Sequence, residues 1–262
     1  MAHKKIGVFV SDDGLSEYVC RKLGGTAETF LFSFSSVSFA KSAVLQPGDI
    51  GGLLSFLKKQ NISELVFIGR VPPESAFSGA LHSSGREFLD SAGLLEGERI
   101  LGNLVSFLER ERIRVIPLTE ILAEELAVEK VYTAREPAES ELNDVKIGAG
   151  LLKNIMKYRV GQSVAVKKGM IIAVEGIEGT DGMIKRVGAY QDCSGFIVVK
   201  MAGKNKDERF DMPVVGPETI RSMKESGGRM IAVEAGKTVI FDEPKTVSLC
   251  NENGITLTGI RL

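Results

Sequence analysis

Two short stretches in the C-terminal half combine residue types that can do chemistry on a phosphate. The first is Glu175-Gly176-Ile177-Glu178-Gly179-Thr180-Asp181-Gly182, which follows an apolar run and opens a helical pattern. Its glycines leave backbone N–H groups uncovered, and a helix N-terminus favours an anion. Thr180 can cap that helix or touch a phosphate. Glu178 and Asp181 supply hard oxygen ligands of the kind Mg²⁺ takes. A polar turn with a capping threonine would have the same sequence. The second stretch is Asp207-Glu208-Arg209-Phe210-Asp211-Met212-Pro213, followed by Val214-Val215-Gly216-Pro217. Asp207, Arg209 and Asp211 alternate, so an extended backbone would present two carboxylates and a guanidinium on one side. The carboxylates suit a divalent cation, and the guanidinium suits a phosphate held bidentately. A surface strand carrying one ion pair is the plainer alternative. Lys200 ends the strand-like run before this stretch. Together the two clusters predict metal-assisted phosphoryl chemistry. With no His or Cys in either stretch, Mg²⁺ or Mn²⁺ is favoured over Zn²⁺.

The elements that must position these residues differ between the two halves. In the N-terminal half, strand signals at Ile6–Val10, Thr29–Phe34, Glu64–Val71 and Arg114–Leu118 alternate with helical patterns at Leu15–Leu23, Pro47–Lys59, Phe77–Ala92 and Glu98–Arg110. This rhythm predicts a Rossmann-like α/β domain with a mostly parallel sheet. Asp49 is the expected cap of its helix. A polar stretch from Ala134 to Asn143 reads as a linker, which sets domains at 1–135 and 136–262. The C-terminal half predicts a mixed α/β domain. It has one hairpin, Gln162–Val166 with Met170–Val174, around Lys167-Lys168-Gly169, and a second, Arg229–Glu234 with Thr238–Asp242, around Ala235-Gly236-Lys237. Helices are expected at Thr180–Val187 and Pro217–Glu225, and strands at Phe196–Met201 and Ile255–Ile260. The Pro217 helix has proline in its first turn and Gly227-Gly228 beyond its end.

Composition narrows the classes. Apolar residues are 44% and charged residues 26%, which describes a globular chain rather than a disordered one. Lys and Arg number 33 against 34 Asp and Glu, which argues against a nucleic-acid partner and a polybasic membrane binder. Residues 1–137 carry 15 Lys and Arg against 18 Asp and Glu, and residues 138–262 carry 18 against 16, so the C-terminal half is the mildly better host for an anion. The two histidines, His3 and His82, exclude a centre built on several His ligands. The three cysteines form no CxxC pair or disulfide framework and read as buried thiols in a reducing cytosol. No apolar run approaches the roughly 18 residues of a spanning helix, so a soluble cytoplasmic protein is expected, with any membrane contact peripheral.

Several apparent motifs fail. Ile231–Thr238 ends like a P-loop but has Ile231 where glycine is needed, and a strand-like run follows it. Arg86–Leu94 resembles half of a Nudix box but keeps a single carboxylate at its paired-glutamate positions. Gly148-Ala149-Gly150 lacks the third glycine of a dinucleotide fingerprint, which excludes a nicotinamide dehydrogenase.

Gly161-Gln162, Val174–Arg186 (VEGIEGTDGMIKR), Val198–Ala202 (VVKMA), Asp207–Ile220 (DERFDMPVVGPETI) and Ile231–Thr238 (IAVEAGKT) occur in an order that resembles the bacterial UDP-2,3-diacylglucosamine pyrophosphatase family. The N-terminal half is similar to it in layout. The resemblance implies two domains clasping a substrate, Mg²⁺ dependence, and water attack on the diphosphate that releases UMP and 2,3-diacylglucosamine 1-phosphate for lipid A synthesis. It implies a catalytic Asp211. Taken with the two clusters, it leads us to expect metal ligands at Asp211, Asp207, Glu178 and Asp181, and substrate contacts at Gln162, Gly179, Thr180, Lys200, Arg209, Gly216 and Glu234. The expected partner is an acylated UDP-sugar, with peripheral contact at the inner membrane and a homodimer as further expectations. The family's Gly-rich first loop is Ser11-Asp12-Asp13-Gly14 here. Arg159 and Lys206 replace an Asp and a Gln common in the family. These departures keep open a second reading, a non-catalytic regulator that binds the same nucleotide-sugar.

Overall fold

Short apolar runs alternating with amphipathic segments produce an α/β chain, seen in a computed structural model that describes residues 4–69, 97–158, 160–203, 207, 209 and 212–261 (backbone alone at 97–101 and Gln191). The chain forms two compact units, Met1–Ile121 with Asp207–Asp211, and Leu122–Lys206 with Met212–Leu262. The first unit contains β1 (Lys5–Phe9), the helix Gly14–Gly24, β2 (Glu28–Ser33), β3 (Ala43–Val44), the helix Ile50–Lys59, β4 (Glu64–Phe67), the helix Gly97–Arg110, β5 (Arg114–Val115) and a short helix at Leu118–Ile121. Its strands are all parallel, in the order β3-β2-β1-β4-β5. Strand order reverses between β1 and β4, the point where open parallel sheets bind ligands. Phe9, Phe32, Leu57, Leu65 and Leu108 are buried together in its core. Asp49 caps its helix as expected, with Oδ1 accepting the Gly52 N–H at 2.7 Å.

Two strands are shorter than their apolar runs. β5 ends at Val115, because Pro117 has no N–H to extend the ladder and Leu118 starts a helix. The β4 ladder ends at Phe67, while Val71 and the helix expected at Phe77–Ala92 lie outside the described residues.

The second unit contains β6 (Lys130–Val131), the helix Glu139–Ile155, β7 (Ser163–Lys167), β8 (Met170–Val174), the helix Gly179–Gly188, β9 (Ile197–Lys200), β10 (Val214–Val215), the helix Pro217–Glu225, β11 (Met230–Glu234), β12 (Val239–Ile240), the helix Glu243–Glu252 and β13 (Thr256–Ile260). A mixed sheet runs β6-β13-β11-β9-β7-β8, and β10 pairs with β12 in a separate ribbon. The first hairpin forms as expected, turning on Lys168 at φ 47° and Gly169 at φ 81°. The second does not. β11 pairs in parallel with β9 and with β13, so both its edges are occupied. After the turn the chain leaves the sheet, and β12 pairs in parallel with β10.

The units divide at Ile121 and Leu122, upstream of the polar stretch at Ala134–Asn143. That stretch instead leads into the helix Glu139–Ile155, whose Glu141 side chain accepts the Ala138 N–H at 2.8 Å. Gly148 lies where this helix meets the sheet. A Cβ there would come 2.7 Å from Val199 Cγ2, so Gly148 serves helix–sheet packing, while Gly150 is exposed. Among the described residues, no helix is long and apolar enough to cross a membrane.

Candidate functional site

Register brings distant polar residues to one end of the second sheet. β9, β11 and β13 run parallel, and β7 runs against β9 with Ser163 opposite Lys200. Glu175 follows β8 and donates its N–H to Ser163 O at 2.9 Å. Ser163, Glu175 and Lys200 therefore sit at the same sheet end, where the parallel strands finish. Alternation then decides the face. Ala165, Ala173 and Val198, each two residues away from one of the three, belong to the core covered by Met183 and Ile184 of the helix Gly179–Gly188. The three polar side chains thus share a face with the start of that helix.

Thr180 joins them. Lys200 Nζ donates to Thr180 Oγ1 at 2.6 Å. Thr180 Oγ1 donates to Glu175 Oε2 at 3.2 Å and lies 3.1 Å from Ser163 Oγ. The Gln162 backbone N–H donates to the same Glu175 oxygen at 3.1 Å. Lys200 is 4% exposed, Glu175 7%, Thr180 9% and Ser163 0%. An ammonium so deeply buried must be paired or hydrogen-bonded, because isolated burial of a charge is very costly. One of its partners is a hydroxyl that a buried carboxylate also holds. The cluster can hold an anion at the strand ends by the charge of Lys200, which the Thr180 hydroxyl fixes in place. Residue spacing alone passes over Ser163 and gives Glu175, at the start of the first stretch, no role of its own. The available signal is parity: each lies two residues from a strand position on the same apolar face.

The other expected site residues lie elsewhere or are otherwise engaged. Gly179, at φ 75°, directly precedes Thr180 at the helix start. Glu234 ends β11 with the parity of Met230 and Ala232, which belong to the opposite core layer. It accepts the Ala202 N–H at 2.9 Å and pairs with Lys237 at 2.7 Å, which ties the segment after β9 to the end of β11. Gly216 precedes the helix Pro217–Glu225, and a Cβ there would overlap the Phe241 ring, so packing alone requires glycine.

Of the four expected metal ligands, Asp211 lies outside the described residues, as do Arg159 and Lys206. Glu178 pairs with Arg186 at 2.6 Å, and that hydrogen bond is the main cause holding its carboxyl below the usual range. Both line an open groove of about 530 Å³ with Val174, Gly176 and Gly182. Asp181 Oδ1 is buried with no hydrogen-bond partner. Asp207 is gripped by Arg209, with Nε 2.8 Å from Oδ1 and Nη2 2.7 Å from Oδ2, and this guanidinium is the main cause lowering its pKa. Arg209 sits in a turn and also donates its N–H to Asp207 at 3.1 Å. The extended presentation expected for Asp207 and Arg209 is therefore replaced by a local fold-back. Arg209 also reaches Glu109 at 3.3 Å, and both belong to the first unit. Among the described residues, no three His, Cys, Asp or Glu side chains converge on one point.

In the first unit, the turn after β1 is filled by carboxylates. Asp13 Oδ1 accepts the Ser16 N–H at 2.8 Å and caps the helix Gly14–Gly24. Asp12 Oδ1 accepts the Ser38 N–H at 2.8 Å and its hydroxyl at 2.7 Å. The place where a glycine-rich turn would receive a phosphate thus holds the protein's own anions.

Residues 18–125 match the LpxI N-terminal domain and residues 128–258 the LpxI C-terminal domain. A curated relative, the UDP-2,3-diacylglucosamine pyrophosphatase LpxI of Caulobacter vibrioides, is 22% identical over 224 residues, spanning 81% of this chain and 80% of the relative. With the two domains of one family matched in sequence order on an α/β framework, the chain belongs to the LpxI family.

Proposed function

We propose that this protein hydrolyses the diphosphate of UDP-2,3-diacylglucosamine to UMP and 2,3-diacylglucosamine 1-phosphate, a step of lipid A synthesis, as a metal-dependent pyrophosphatase. The observation that carries this reading is the buried Lys200–Thr180–Glu175 cluster at the strand ends, within the region matching the LpxI C-terminal domain. Hydrolysis of a phosphoric anhydride builds negative charge on the bridging and terminal oxygens, and a fixed cation stabilises that charge without reorganising. Lys200 would neutralise a phosphate oxygen, and the Thr180 hydroxyl would hold the ammonium in place.

The residues present suit a hard cation. Their donors are carboxylate oxygens, and Asp181 Oδ1 is buried without a partner, an arrangement that a cation would relieve. Mg²⁺ usually keeps several waters and takes one or two carboxylates plus substrate phosphates, so a cage of three protein ligands is not required. Asp181 would hold it, and it would supply charge neutralisation on the diphosphate. Glu178 and Asp207, each committed to an arginine, fit this role less well. Asp211 remains the proposed catalytic carboxylate. The protein would work in the cytoplasm against the inner membrane that holds its acylated substrate, and as a homodimer.

A second reading, a non-catalytic binder of the same nucleotide-sugar, draws on Asp12 and Asp13 filling the first turn after β1. Incubating purified protein with UDP-2,3-diacylglucosamine, with Mg²⁺ or with EDTA, and following UMP by mass spectrometry decides between them. Release of UMP with Mg²⁺ supports the enzyme. Retained but uncleaved substrate supports the binder.

A further inference from the structure

Glu175 is the one buried carboxylate of this cluster that is given no contact with the phosphate, and its contacts point past itself. Its Oε2 receives the Gln162 N–H, which fixes the carboxylate to the start of β7, and the Thr180 hydroxyl, which fixes the helix start to the carboxylate. A threonine hydroxyl has one hydrogen and two lone pairs. With its hydrogen directed at Glu175, Thr180 presents its lone pairs to Lys200 Nζ at 2.6 Å and to Ser163 Oγ at 3.1 Å. Every bonding position of that oxygen is then used, so it cannot rotate without breaking a bond to a charged group. Such bonds are the stronger kind.

We propose that Glu175 is a positioning residue: through the Thr180 hydroxyl it balances and aims the Lys200 ammonium at a diphosphate bound at the strand ends. This rests on the pyrophosphatase reading for the identity of the anion. Glu175 does not touch substrate; its effect passes through Thr180 and Lys200. Glutamine at 175 can still accept both hydrogen bonds but carries no charge, so Glu175→Gln separates charge balance from shape.

The test is a double-mutant cycle of wild type, Glu175→Gln, Lys200→Met and the double variant. Each is assayed for kcat and KM on UDP-2,3-diacylglucosamine with Mg²⁺. Each is also titrated with inorganic pyrophosphate by calorimetry. Glu175→Gln is expected to lose about 10²-fold in kcat/KM, the scale of a misplaced reacting group. In the Lys200→Met background the same change is expected to cost nothing further. Pyrophosphate binding is expected to weaken about tenfold in Glu175→Gln and to be equal in the two Lys200→Met proteins. The double variant removes both buried charges together and is expected to fold even where a single variant is unstable. Losses that multiply independently in turnover and in binding, or Glu175→Gln at wild-type values, would overturn the proposal. If wild type releases no UMP while the coupling in pyrophosphate binding holds, the positioning role stands and the pyrophosphatase reading falls.

Discussion

Lys200 Nζ and Thr180 Oγ1 meet at 2.6 Å, one from the last residue of a strand and the other from the first turn of a helix 20 residues earlier. Neither residue is distinctive alone, since a strand-end lysine is usually solvated and a helix-start threonine usually caps. Burial of both beside Glu175 turns them into one unit.

That unit makes Thr180 a sensitive position. Thr180→Val keeps the volume but removes the atom that Lys200 and Glu175 share. Leaving buried polar groups unsatisfied costs about 1–3 kcal/mol, and more for charged ones. The variant is expected to melt below wild type and to lose most turnover, while Thr180→Ser recovers much of both. Thermal melts beside steady-state rates check this. A Thr180→Val protein that melts with wild type would refute the shared-hydroxyl account.

Asp181 carries the opposite expectation. An unpartnered buried carboxylate oxygen is unfavourable without a cation. In EDTA, Asp181→Ala is expected to melt at or above wild type. Added Mg²⁺ is expected to raise the wild-type melting temperature by linkage and to leave Asp181→Ala unmoved. EDTA is expected to abolish wild-type turnover. Equal Mg²⁺ shifts in both proteins would remove Asp181 from the metal site.

Asp211→Ala is expected to fold, hold substrate and lose about 10²–10⁴ in rate, the usual range for a positioned acid–base group. Arg209→Ala, assayed beside it, is expected to lose less, because Arg209 is already committed to Asp207. Wild-type turnover in Asp211→Ala would end the catalytic assignment.

Asp12 makes one acid-sensitive link in the first unit. The Ser38 N–H, followed by the Ser38 hydroxyl, holds its carboxyl below the ordinary value of 3.8. A depressed carboxylate contributes stability that is present above the unfolded pKa and lost as pH falls through the folded one. The wild-type melting temperature is therefore expected to fall more steeply than that of Asp12→Asn as pH drops below about 4. Parallel curves from pH 6 to pH 3 would show that the Ser38 contact adds nothing.

Much of the framework was legible because its causes are local. Lys168-Gly169 favours a tight hairpin turn, Asp49 caps the helix that follows it, and Pro217 with Gly227 brackets a helix that spans Pro217–Glu225. Each signal acts within a few residues, although Asp144 also accepts the Lys168 and Gly169 N–H groups at 2.9 and 2.6 Å. The strand–helix alternation of the first half likewise implied a parallel sheet. Besides the short helix Leu118–Ile121, two longer helices escaped notice for local reasons of another kind. The polar first turn of Glu139–Ile155 resembles a linker, although Val145, Ala149 and Leu152 form a buried stripe at helical spacing. Glu243–Glu252 opens on Asp242-Glu243-Pro244, an entry signal that a hairpin reading obscures.

Tertiary structure alone decided the rest, because pairing is competitive and non-local. The segments Met230–Glu234 and Val239–Ile240 have the composition and turn of a hairpin, but β9 and β13 occupy both edges of β11, and a strand has only two edges. Asp207 and Arg209 alternate like strand residues, yet a guanidinium two residues from a carboxylate reaches it more readily by folding back than by standing parallel to it. By itself, the sequence determined which residues can do chemistry and the family to which their order belongs. Strand register and side-chain parity decided that Lys200, Thr180, Glu175 and Ser163 share one buried point, because residues far apart in a chain become neighbours when paired strands set them at the same end and face of a sheet.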